Sequence, residues 1–129
     1  NENQIQFHYY GKIYDEMEIC KIIEKCQYGL NIMLETVFVG LTMKSVKYLK
    51  YGLPIINNIY GDTNDAINLY DLGFNVNKSN INTISTRIVE TKPDEYLAKR
   101  ENVLNFYNKY LSYESVKKAV NESIREVLL

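Results

Sequence analysis

The residues with most chemical potential lie between Gly40 and Asn57, where the chain reads Gly-Leu-Thr-Met-Lys-Ser-Val-Lys-Tyr-Leu-Lys-Tyr-Gly-Leu-Pro-Ile-Ile-Asn. Lys44 and Lys47 are three apart, so on a helix they share a face and set two positive charges near its start. Thr42 suits the N-cap, its hydroxyl accepting a first-turn amide. A glycine ahead of a helix N-terminus gathers unpaired N–H groups and a partial positive charge, which suits a phosphate. Gly40, Thr42 and Lys44 are therefore the candidate ligands of a phosphate group. The same residues also suit an ordinary turn, cap and solvated helix face, and spacing alone leaves both readings open.

Other residue types offer less. No nucleophile–base pair, metal-ligand cluster or acidic dyad stands out. Cys20 and Cys26 match neither a zinc pair nor a thioredoxin-type pair, and read as reduced thiols in or near the core of a cytosolic protein. His8, the single histidine, falls within an expected strand and reads as a packed residue. Asp62 and Thr63 read as a helix cap. Glu35 stands isolated in a loop.

The elements that must hold these residues follow from periodicity and punctuation. Ile5–Tyr10 is apolar and aromatic enough for a strand, closed by Gly11. Asp15–Lys25 carries apolar residues at helical spacing behind an acidic first turn. Gly29–Leu34 suits a buried parallel strand, and 35–41 a loop. Thr42–Tyr51 is a helix stopped by Gly52, with Pro54 preventing its resumption before a strand at Leu53–Asn57. Asn64–Tyr70 is a helix, Phe74–Val76 a short strand released by Gly73, and Asn80–Glu90 another helix. Pro93 starts a helix over 94–110. Ser112 caps a last one, striped by Val116, Val120, Ile124 and Val127. Strands alternating with helices predict an α/β fold: a Rossmann-like parallel sheet of about four strands, flanked by helices and ending in C-terminal helices. Ligands of such sheets bind beyond the carboxyl ends of the strands. Those ends carry Tyr10–Gly11, the 35–42 loop and the 57–63 loop.

The ordered series of these units resembles the C-terminal domain of GT-B glycosyltransferases, in the version patterned Lys-x-x-x-Tyr-Leu-x-x-Gly-x-Pro-x-Ile. That pattern falls on Lys44, Tyr48, Leu49, Gly52, Pro54 and Ile56. Upstream, Ile5–Ile13 resembles the family's strand ending in Gly, followed by an acidic helix with Asp15, Glu16 and Glu18. Downstream, Asn68–Val76 resembles its "helix, then Gly, then short strand" unit, and the tail from Tyr96 its closing helices. The resemblance implies a single domain over 1–129, a fragment of a donor-binding domain, inactive without the acceptor-binding N-terminal domain of its parent chain. It implies a bacterial glycosyltransferase of surface polysaccharide synthesis, using a nucleotide-diphosphate-sugar and a glycan or lipid-linked acceptor. Gly40, Thr42 and Lys44 would then hold the donor diphosphate without an obligatory metal, and no further cofactor is implied. Tyr10, Gly11, Tyr14, Glu35 and Lys47 would surround its base, ribose and sugar. Lys47 departs from the family, many members of which place there a glutamate that accepts the ribose hydroxyls; a lysine cannot. A non-catalytic partner domain that has lost donor binding is the alternative. A flavodoxin-like regulator lacks the aspartate expected at the end of the first strand.

Composition agrees with one domain. The 129 residues suffice for a core. A net charge of -1 supplies no field drawing the chain to nucleic acid or an anionic membrane. The 12 tyrosines, set among frequent Asn, Ile and Lys, read as compositional drift and not as a tyrosine-based function. No apolar run approaches the ~18 residues of a membrane span, and no signal-peptide pattern is visible. The expected location is the cytoplasm, where the inner face of the membrane is within reach. The opening on Asn1 reads as a piece of a longer protein. An open sheet edge would invite a homodimer.

Overall fold

Helices begin where the sequence supplies a cap. In the computed structural model, which describes residues 5–128, Asp15 accepts the Glu18 amide at 2.9 Å and opens α1 (Glu16–Ile23). Thr42 caps α2 (Met43–Lys50). Ser112 accepts the Ser115 amide at 3.3 Å ahead of α6 (Tyr113–Leu128). Between these lie β1 (Gly29–Asn31), β2 (Ile55–Asn57), α3 (Asp62–Tyr70), β3 (Gly73–Asn75), α4 (Ile81–Glu90) and α5 (Pro93–Phe106). A π-helical turn at Tyr107–Leu111 continues α5, so the expected long helix is present but widens over its last turn.

The three strands form one open parallel sheet in the order β1-β2-β3. α2 and α3 supply the crossovers that parallel pairing requires. The register sets the strands in three rungs: Gly29–Ile55–Gly73, Leu30–Ile56–Phe74 and Asn31–Asn57–Asn75. Side chains alternate across a sheet, so the first and third rungs face α2 and α3. Both glycines of the first rung are needed. A Cβ on Gly29 would stand 2.5 Å from the Tyr48 ring of α2. Gly73 has φ 152°, and a Cβ there would lie 1.9 Å from the Ile55 carbonyl oxygen. The core on this face is Leu49, Ile55, Ile67, Leu72 and Val103, with Leu41, Tyr48 and Phe106 packed against it. Each such side chain contributes about 1.5–3 kcal/mol by leaving water.

One helix pins the entry to every strand. From α5, Tyr96 Oη donates to the Gln27 carbonyl at 2.8 Å and Arg100 Nε donates to the Gly52 carbonyl at 3.0 Å. Lys99 pairs with Asp71. Gln27, Gly52 and Asp71 stand just ahead of β1, β2 and β3 respectively. Lys99 is only 3% exposed, and its Nζ lies 5.0 Å from the centroid of the Phe74 ring. A buried ammonium is tolerable because a carboxylate and a ring face receive it.

Among the described residues the sheet has three strands, not four. The expected strand at Ile5–Tyr10 does not form: the segment has no regular structure, and Ile5, Phe7 and Tyr9 are each at least 80% exposed. An alternating apolar pattern does not make a strand without a ladder to satisfy its amides and carbonyls. At the outer edge of β1 the Leu30 carbonyl is already taken by Tyr48 Oη at 3.3 Å. His8 is accordingly exposed and not packed. β1 is shorter than the run Gly29–Leu34 suggests, because the chain leaves the sheet after Asn31.

Candidate functional site

Each strand ends in asparagine, and the three side chains form a chain of amides across the carboxyl end of the sheet. Asn31 Nδ2 donates to Asn57 Oδ1 at 2.8 Å, and Asn57 Nδ2 donates to Asn75 Oδ1 at 2.8 Å. Asn57 Nδ2 also reaches the Ile59 carbonyl at 2.8 Å. Asn75 Nδ2 donates to the Asn64 carbonyl at 3.0 Å and to Asn68 Oδ1 at 2.9 Å. Asn31 and Asn57 are wholly buried, and among the described residues no buried side-chain nitrogen or oxygen lacks a partner. The rung thus welds the strand tips from which the rim loops depart. Sequence reasoning missed it, although the signal was there. The triplets Gly29-Leu30-Asn31, Ile55-Ile56-Asn57 and Gly73-Phe74-Asn75 all end alike.

The turn into α2 is fastened to this rung. Thr42 Oγ1 donates to Asn31 Oδ1 at 3.0 Å and accepts the Ser45 amide at 3.0 Å. It also lies 2.7 Å from Ser45 Oγ. Its hydroxyl is therefore spent inside the protein, and Thr42 is buried. Thr63 Oγ1 donates to the Gly40 carbonyl at 3.0 Å, tying the 39–42 turn to α3. Thr63 and Asp62 lie in the first turn of α3; the cap residue is Gly61, without a side-chain bond, which corrects the expected Asp62–Thr63 cap. The Asp62 carboxylate rests against Gly40, where a Cβ would come within 2.6 Å of Oδ2. Gly40 leaves room for that carboxylate, which sets a negative charge beside the turn.

What remains open at the start of α2 is backbone and lysine. The Met43 and Lys44 amides have no intrahelical acceptor. Lys44 and Lys47 are exposed, and neither makes an ion pair among the described residues. Glu35 also reaches the rim. Its Oε2 pairs with Lys78 Nζ at 2.9 Å, beside a cavity of about 400 Å³ shared with Asn58, Tyr60 and Asn77. Asn58 joins the first two rim loops, accepting the Met33 amide at 2.8 Å and donating to the Met33 carbonyl at 2.7 Å.

Tyr10, Gly11 and Tyr14 are not gathered there. Tyr10 lines a shallow hollow with Ile13, Glu18, Lys21 and Ile22, and Tyr14 is 86% exposed. The first turn of α1 is anchored through Glu16 to Lys50 and Tyr51, at the end of α2 opposite Lys44. Two rim loops converge on the rung where three were expected, because the segment carrying Tyr10 has no place in the sheet. Among the described residues, no group of three His, Cys, Asp or Glu side chains is placed to hold a metal ion. The cysteines are unpaired and half-buried. Among the described residues, too, no helix is long and apolar enough to cross a membrane.

Compared with family models, curated proteins and solved structures, the chain matches none of them.

Proposed function

We propose that this chain is part of the Rossmann-like, donor-binding domain of a GT-B glycosyltransferase, and that the start of α2 receives the diphosphate of a nucleotide-sugar. The observation that carries the reading is the turn at Thr42–Lys44. It is braced from behind by a buried polar network, while two backbone amides and an exposed lysine are left for a ligand. A rigid donor array costs no reorganisation when negative charge builds on the leaving diphosphate as the glycosidic bond breaks. Lys44 adds a full charge to the partial charge of the helix end. Thr42 acts here as the brace, and its hydroxyl is not a ligand. The sugar or base would lie across the rim, in the cavity lined by Glu35 and Tyr60. The test is calorimetric titration of UDP and GDP into the chain and into Lys44→Ala. Affinity should fall about tenfold or more in the variant, as for loss of a charged hydrogen bond. Equal affinity would remove Lys44 from the site.

A second reading, a GT-B-like partner domain that has lost donor binding, is favoured by two features. The Asp62 carboxylate beside Gly40 opposes an incoming phosphate, and Lys47 cannot accept ribose hydroxyls. Absence of nucleotide binding in both the unsubstituted chain and Asp62→Asn would decide for it.

A further inference from the structure

A second cleft, of about 450 Å³, opens beside the outer edge of β3, between α3, α4 and α5. Its volume lies within the range of small-molecule sites. The lining sets two cations, Arg87 and Lys99, against one carboxylate, Asp71. Lys99 is buried and already pairs with Asp71, so those charges cancel and Arg87 remains. The Arg87 guanidinium carbon lies 5.6 Å from the centroid of the Phe74 ring, and Arg87 makes no ion pair among the described residues.

The amides around it are oriented by hydrogen bonds to neighbouring groups. Asn68 Oδ1 accepts from Asn75 Nδ2 at 2.9 Å, which leaves Asn68 Nδ2 as a donor. Asn77 Oδ1 accepts the Ser79 and Asn80 amides at 2.9 and 3.0 Å, which leaves Asn77 Nδ2 likewise. Asn64 Nδ2 donates to Asp65 Oδ1 at 3.2 Å, and its Oδ1 is left as an acceptor. A guanidinium fork matches the two oxygens of a carboxylate or phosphate. Amide donors and an amide acceptor around it match neighbouring hydroxyls.

We infer that this cleft binds an acidic sugar unit, its carboxylate or phosphate held by Arg87 and its hydroxyls by Asn64, Asn68 and Asn77. The cleft shares no residue with the turn at Thr42–Lys44, and only Asn77 with the cavity beside Glu35. Resting on Arg87, Asn64 and Asn68 as well, the assignment stands whether or not that turn binds a nucleotide. The test is an NMR titration of the chain with a hexuronate, a hexose phosphate and a neutral hexose, following the side-chain signals of Asn68, Asn77 and Arg87. Saturable shifts with one or both acidic sugars are expected, and which one responds identifies the anion. Arg87→Gln, an exposed position, should weaken binding about tenfold or more. Asn68→Asp keeps the acceptor for Asn75 but removes the donor and adds a negative charge, and should abolish the shifts. Equal binding of the neutral hexose, undiminished binding by Arg87→Gln, or no saturable shift at millimolar sugar would each overturn the assignment.

Discussion

Asn57 uses both ends of its amide. It accepts from Asn31 and donates to Asn75 and Ile59, inside a wholly buried site. Removing one member of such a chain leaves its neighbours desolvated and unpaired, at about 1–3 kcal/mol for a group so stranded. Asn57→Ala should therefore lower unfolding free energy by roughly 3 kcal/mol in a urea titration. A loss below about 0.5 kcal/mol, the range of surface substitutions, would mean the rung is not holding the strand tips. Asp62 acts at the same scale but on ligands. Its carboxylate, in the first turn of α3, is favoured by the helix dipole, yet it repels anions at the Gly40 turn. Asp62→Asn should raise affinity for a nucleoside diphosphate severalfold at low salt, with the gain shrinking as salt screens the charge. An unchanged affinity at low salt would place the phosphate elsewhere.

Elements depend on a few tethers. α1 is held to α2 through Glu16, whose carboxyl the Lys50 ammonium, and then the Tyr51 hydroxyl, keep below the ordinary range. A depressed carboxylate contributes stability that is fully present above its unfolded pKa of about 4.3 and is lost as pH falls through the lower folded value. The α1 amides should therefore lose protection against exchange below about pH 4, before those of α2 and α3, and Glu16→Gln should remove that pH dependence. Simultaneous loosening of all helices would show that α1 is not separately tethered. Much at this scale was legible in the residues. Thr42 and Ser112 announce caps, Gly52 and Pro54 a stop, and Pro93 a start, because each acts through its own backbone geometry. The α5 clamp was not legible, since Tyr96, Lys99 and Arg100 meet acceptors 28 to 69 residues away. Nor was the failure of Ile5–Tyr10 to pair. Alternation describes one strand, while pairing is a property of two. The asparagine rung stood midway: its repeat is visible, but only the parallel register aligns its three members. At the candidate site, residue types located Lys44 and Glu35 on the rim. They could not tell that Thr42 would turn inward or that Asp62 would lie against Gly40.

The whole molecule keeps one face of its sheet packed and leaves other surfaces apolar and open. Leu30, Ile32 and Ile81 are each at least 45% exposed, and the α6 stripe of Val116, Val120, Ile124 and Val127 is exposed along its length. A helix so striped yet unburied suits docking on another surface. Because the stripe packs on little within this chain, Val120→Asp and Ile124→Asp should each change the melting free energy by no more than about 0.5 kcal/mol. A larger loss would make α6 an internal prop. A phosphate cradle at the start of α2 shows itself in the backbone amide signals while a nucleoside diphosphate is titrated into the chain. The largest saturable shifts should fall on Met43 and Lys44, with Ser45 little moved because Thr42 already holds its amide. Shifts centred on other residues, or none at millimolar nucleotide, would contradict it.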